Sequence, residues 1–168
     1  MKRIVISIAA VIAAASCSYY DSPAGAKLQP GDPLPEFRTS LPDGTVIRSA
    51  DFIGKPCAVI LLDYTSAQCR YPVKAIQEIL QTNDSFNAIG FCQKQDEQEL
   101  ADYLQSYRIT FPVTCRDGRD ICQKFDPHLT GIPQIYITDK EGFITDYFDW
   151  SNLPTRDELL EVIAKNLP

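Results

Sequence analysis

The stretch CAVILLDY, residues 57–64, constrains this chain more than any other. Six consecutive apolar residues, Cys57 to Leu62, suit a strand covered on both faces, with layers of structure above and below its sheet. The helix-period pattern of RYPVKAIQEILQT follows within a few residues and places Val73, Ile76, Ile79 and Leu80 on one stripe. FNAIGFC (86–92) is a second buried strand, and DEQELADYLQSY (96–107) a second amphipathic helix opened by acidic residues that suit its positive end. FPVTC reads as a short extended piece and RDICQKF as a short helix. PQIYITD and FITDYFD read as strands joined through KEG in a hairpin, and TRDELLEVIAKNL closes as a helix. Thr155 and Glu158 there form a capping box. Upstream, DGTVIRS carries the turn signal Asp43-Gly44 inside another hairpin. The order β-hairpin, β-α-β-α, short helix, β-β-α predicts an α/β fold: a central mixed sheet with helices on both faces and a hairpin before it.

The first residues belong to a different kind of segment. MKRIVISIAAVIAAASC has a basic start at Lys2 and Arg3, an apolar run from Ile4 to Ala15, and small residues before Cys17. This is the layout of a secretory signal, and the run is short for a membrane span. The box AASC resembles a bacterial lipoprotein cleavage site, with Ala14 where leucine is commonest. The resemblance implies a signal over 1–16, lipidation of Cys17, and residence in a cell envelope, periplasmic or outer-membrane associated. Residues 17–33, rich in Pro, Gly and Ser, read as a flexible tether, and residues 34–168 as one domain. Cleavage would leave 152 residues and a net charge of −8. So acidic a chain is unsuited to nucleic acid or anionic headgroups, and its membrane contact would be the lipid.

Five further cysteines remain: Cys57, Cys69, Cys92, Cys115 and Cys122. An exported chain meets oxidising conditions, and an odd count leaves at least one thiol free or in use. The chain has no CxxC and one histidine, His128, so neither a structural metal nor a cofactor is expected.

The element order and landmarks together resemble the thioredoxin fold. More closely they are similar to envelope thiol–disulfide oxidoreductases of the ResA/TlpA type, within the wider AhpC/TSA–redoxin group. GDPLPEF resembles the family's opening, DGTVIRSADFIGKP its hairpin and lead-in, FPVTCRDGRDICQKF a later segment, and TGIPQIYITDKEG its cis-proline strand. The resemblance covers roughly residues 29–167. It implies that LLDYTSAQC holds the CxxC position with Ser66 replacing the attacking cysteine and Cys69 as the second. It also implies that Pro133 is the cis-proline beside that helix start. Partners implied are envelope protein thiols or an extended peptide. This chain departs from the pattern at Thr65, where tryptophan is usual, at Pro72, a proline only three residues after Cys69, and at both Ile60 and Pro72, where buried acids assist proton transfer in such enzymes. A serine hydroxyl cannot exchange disulfides, so any redox activity runs through a degenerate SxxC.

Two readings of Cys69 stand side by side: a reactive thiol at a helix start, or an inert buried one. The lean is toward partial reactivity, because small Ser66 leaves room above the helix. Ser66 is expected mainly to cap that helix, His128 to sit on the surface, and Cys57 to pack in the core. Cys92, ending a strand at the same edge, is the best internal partner for Cys69. A local Cys115–Cys122 disulfide is the first expectation, with Cys92–Cys115 or two free thiols as alternatives. A thiol peroxidase is a further option. Its motif Pro-x-x-x-Thr/Ser-x-x-Cys finds Ser66 and Cys69 but Leu62 at the proline position, and Arg70 is near Cys69 only in sequence.

Overall fold

The computed structural model describes residues 25–129 and 131–167. The signal segment and Cys17 lie outside the described residues. Two strands, β1 (Arg38–Ser40) and β2 (Val46–Arg48), pair antiparallel as the leading hairpin, with Gly44 at φ +87° in its turn. A left-handed residue is needed there, and glycine adopts it without a Cβ penalty. The central sheet holds β3 (Cys57–Leu62), β4 (Asn87–Cys92), β5 (Val113–Thr114), β6 (Gln134–Thr138) and β7 (Ile144–Asp149) in the order β5-β4-β3-β6-β7. Strands β3, β4 and β5 run parallel; β6 is antiparallel to β3 and β7 to β6. The helices are α1 (Ala67–Leu80), α2 (Glu97–Tyr107), α3 (Gly118–Phe125) and α4 (Arg156–Asn166). This is the mixed sheet with helices on both faces that the pattern predicts.

Period two decides the layers. Along β3, Ala58, Ile60 and Leu62 face a core shared with α1, α2 and α4, through Val73, Ile76, Leu100, Tyr103, Leu159 and Ile163. Cys57, Val59 and Leu61 face the other core, with Phe37 and Ile47 of the hairpin and Ile121 and Phe125 of α3. All six residues of β3 are fully buried, as a central strand between two layers must be. At roughly 25 cal/mol per Å² of apolar area, this double burial is the main favourable contribution to the fold. α4 carries the capping box: Thr155 Oγ1 accepts from the Glu158 amide at 3.2 Å, and the Thr155 amide donates to Glu158 Oε2 at 2.8 Å.

The tether reading fails for its described part. The Leu28 amide donates to the Phe125 carbonyl at 2.8 Å, Gly31 to Ile144 at 2.7 Å, and Leu34 to Gly142 at 2.7 Å, while Pro33 bridges Phe143. Residues 27–34 therefore lie along β7 like an added edge. Their Pro/Gly composition suits a linker, yet the contacts are made by backbone groups, which composition does not reveal.

Candidate functional site

The site lies where β3 ends and α1 begins. The Asp63 side chain folds the intervening turn: its Oδ1 accepts from the Thr65 amide at 2.8 Å and from Thr65 Oγ1 at 2.7 Å. Lys94, just past β4, closes over this turn, donating to Thr65 Oγ1 at 2.9 Å with its Nζ 4.0 Å from Asp63. Ser66 then occupies the N-cap position of α1 with extended backbone, but its hydroxyl makes no capping bond to the helix amides. Its carbonyl accepts from the Cys69 amide at 3.2 Å.

Cys69 is the third residue of α1, and its Sγ accepts from the Asp63 amide at 3.3 Å. It is 0% exposed. Burial pushes its thiol up to about 11, against the Asp63 amide and the Ser66 hydroxyl, which pull the other way. The expected room above the helix start is not seen, and this burial works against the partial reactivity expected of Cys69. The reason is depth. As residue three of the helix it points back into the core beneath the turn, where Tyr64, Cys92 and Tyr103 close the layer.

The Ile132–Pro133 bond is cis, and Pro133 is buried immediately before β6. Since Leu61 pairs with Gln134, Pro133 stands at the same sheet end as Asp63 and Cys69. Beside it, a Cβ on Gly131 would run into the Trp150 indole, so only glycine lets the exposed tryptophan lie on this loop. His128 is exposed after α3, and Arg70 lies over the Tyr107 ring, 5.9 Å from its centroid. Arg70 is therefore turned to an aromatic face rather than to a thiolate.

Cys92 is fully buried, with burial pushing its thiol up to about 11. Cys57 is buried with its thiol driven upward by desolvation alone, in agreement with core packing. The expected Cys115–Cys122 bridge is not formed, for all five cysteines are free thiols. The sheet separates the two: Cys115 follows β5 on the α1/α2 side, while Cys122 lies in α3 on the other, its Sγ 3.7 Å from the Phe91 carbonyl. A spacing of seven residues along the chain says nothing of a sheet between them.

Sequence reasoning missed three residues here. Asp63 and Lys94 shape the turn, and a polar residue directly after an apolar strand was the available signal for Asp63. Tyr103 has a buried hydroxyl without a hydrogen-bond partner among the described residues. Its position on the apolar stripe of α2 marks it for burial but does not show that its hydroxyl is orphaned. No group of His, Cys, Asp or Glu among the described residues is arranged to hold a metal.

Thiol–disulfide oxidoreductases of thioredoxin fold share this architecture: a parallel β-α-β unit, a helix starting at the strand end, and a cis-proline strand beside it. Residues 30–147 match the AhpC/TSA family, and the chain belongs to that family. No curated protein matches it. Among solved structures, it is similar to a proposed protein disulfide isomerase from Bacteroides thetaiotaomicron, at 21% identity and TM-score 0.72 over 84% of this chain and 89% of that one. A thiol:disulfide interchange protein of the thioredoxin family from Chlorobium tepidum matches at 20% identity and TM-score 0.71, over 85% and 100% of the two chains. A secreted Mycobacterium tuberculosis disulfide oxidoreductase homologous to E. coli DsbE matches at 16% identity and TM-score 0.65, over 77% and 95%.

Proposed function

We propose that this chain is a lipid-anchored protein of a bacterial cell envelope that handles protein thiols at the corner of Ser66, Cys69 and Pro133. The N-terminal segment with its AASC box supports the anchor through Cys17. One observation carries the redox part: the Cys69 sulfur sits in the first turn of α1 with the Asp63 amide donating to it at 3.3 Å. Donors and a helix start are what stabilise a thiolate. Here burial outweighs them, so Cys69 is kept as a thiol and reacts only when the corner opens. Ser66 supplies a hydroxyl where the family's dithiol enzymes carry a cysteine, so a mixed disulfide on Cys69 would have no neighbour at position 66 to resolve it. Cys92, buried in the same core, is the candidate to do so.

The complete burial of Cys69 favours a second reading, in which the corner holds an extended peptide without chemistry. Residue-by-residue iodoacetamide labelling against pH separates the two. The redox reading expects Cys69 in the folded protein to label faster than Cys57; equal or slower labelling leaves only binding. Metabolic labelling with a fatty acid should mark the protein, and Cys17→Ala should abolish the mark. A label that survives the substitution ends the lipoprotein reading.

A further inference from the structure

Among these cysteines, the sheet itself sets one pair side by side. Gly90 pairs with Val113 and Phe91 with Thr114. One further step along this ladder sets Cys92 against Cys115. Adjacent strands lie about 4.8 Å apart, and a disulfide needs Cα atoms roughly 4.4–6.8 Å apart. The alternation of side chains agrees. Ala88, Cys92, Val113 and Cys115 all face the α1/α2 core, whereas Ile89 and Phe91 face the other. The backbone around the pair is fixed, because the Cys115 carbonyl accepts from the Gly118 amide at 3.2 Å, and a Cβ on Gly118 would collide with the Cys92 carbonyl. The two sulfurs also feel each other, since charge on Cys115 disfavours the Cys92 thiolate.

Two further observations point to chemistry. Cys115 is the least buried cysteine, 2% exposed against 0% for the other four. It lines a surface pocket with Gln95, Glu97, Arg116 and Asp117. Burial and Glu97 oppose its thiolate, and the Arg116 charge favours it. Secondly, the orphaned Tyr103 hydroxyl belongs to the same core cluster and feels the charge of Cys69 and Cys92. Among the described residues it is a buried donor without a partner, in the cluster that also holds Cys92 and Cys115.

We infer that Cys92 and Cys115 form a cross-strand dithiol couple that closes by exchange with an incoming disulfide, Cys115 being the entry sulfur. The Cys115 thiolate attacks one sulfur of that disulfide, and the S–S bond breaks. A mixed disulfide forms on Cys115, and the other sulfur leaves as a thiolate that takes up a proton. Cys92, losing its proton, then attacks the Cys115 sulfur and releases the second thiol. Two protein thiols give up two electrons to become one disulfide, and the incoming disulfide is reduced to two thiols. This couple shares Cys92 with the Cys69 reading but closes without any reaction at Cys69.

The test uses the full chain, reduced and then incubated with oxidised glutathione, quenched in acid and digested with trypsin without reduction. Cys92, Cys115 and Cys122 fall in separate peptides, 75–94, 109–116 and 120–124, and Cys69 travels with Cys57 in 49–70. Failure of the Cys69 reading therefore leaves this readout intact. The expected product is 75–94 linked to 109–116, exceeding every other pairing by at least about tenfold, as access and thiolate character select the reacting sulfur. Cys92→Ser should accumulate glutathione on Cys115, while Cys115→Ser should leave Cys92 unmodified. A Cys115–Cys122 link, or glutathione adducts with no 92–115 link, overturns the couple. A glutathione adduct on Cys92 in Cys115→Ser overturns the order of entry.

Discussion

The two faces of the central sheet treat their buried polar groups in opposite ways at the same end. On the α3 face, a network is closed. Gln134 Nε2 donates to Asp126 Oδ2 at 2.7 Å and to the Gly131 carbonyl at 3.0 Å, and its Oε1 accepts from the Tyr136 hydroxyl at 2.9 Å. Lys27 donates to the Tyr147 hydroxyl at 2.7 Å and stands 3.9 Å from Asp126 and 3.8 Å from Asp149. On the α1/α2 face are Cys69, Cys92 and Cys115, all free, and the Tyr103 hydroxyl, which has no partner among the described residues. Buried polar groups cost free energy unless paired. The satisfied face therefore contributes to holding the fold, whereas the α1/α2 face leaves the buried Tyr103 hydroxyl unpaired among the described residues.

That contrast can be broken by substitution. Gln134→Leu should have the largest effect. It strips one partner from the Asp126 carboxylate and one from the Tyr136 hydroxyl at once, at about 2–4 kcal/mol in urea unfolding, since a hydrogen bond to a charged group contributes about 1.5–3 kcal/mol and a neutral one about 0.5–1.5 kcal/mol. Asp126 keeps the His128 amide and Lys27, and Tyr136 keeps the Phe125 carbonyl. A loss below about 1 kcal/mol would show that water replaces the amide and that the α3 face is not closed. The matched pair Tyr136→Phe and Tyr103→Phe removes the same atom from each face. The first should cost about 1–2 kcal/mol, and the second should be neutral or gain up to about 1 kcal/mol, because only one of these hydroxyls has a partner to lose. Equal losses would erase the distinction.

The smallest effect is in acid. Burial works to raise the Asp126 carboxyl, but hydrogen bonds from Gln134 and the His128 and Leu129 amides, with the charge of Lys27, hold it below the usual carboxylate range. A depressed folded value means that its stabilisation is present above the unfolded value, about pH 4, and is lost as pH falls through the folded one. Asp126→Asn should therefore unfold with a shallower dependence on pH below about 4 than the parent. An unchanged acid limb would remove Asp126 from the pH-sensitive part of the network. No comparable acid sensitivity is expected from the thiol face, whose groups titrate upward from neutrality.

Much of this arrangement was legible before any coordinates. The continuous run at Cys57–Leu62, the stripes of α1 and α2, and the Thr155–Glu158 box are local signals, and local signals mark elements well. What escaped was carried by tertiary placement. A helix start can hold its third residue either exposed or under the turn, and CxxC-like spacing around Cys69 does not distinguish them. Lys27 and Asp126 are nearly a hundred residues apart, and nothing in a Pro/Gly-rich segment announces that its backbone will lie along β7. Gln134 was read as part of a strand, and its role as the hub of a buried network depends on groups from three other segments.

The packing of residues 27–34 along β7 also limits orientation. The segment meets the domain first at Asp126 and Asp149, at the sheet end that carries Cys69 and Pro133, and only then runs toward Phe143. Eight peptide units separate Cys17 from Gly25; stretched fully, they reach about 28 Å. If Cys17 carries the proposed lipid, the protein would be moored on a short leash at the sheet end that holds Cys69 and Pro133. The thiol corner would then sweep a thin shell next to the bilayer, where its clients would be membrane neighbours rather than proteins diffusing at large.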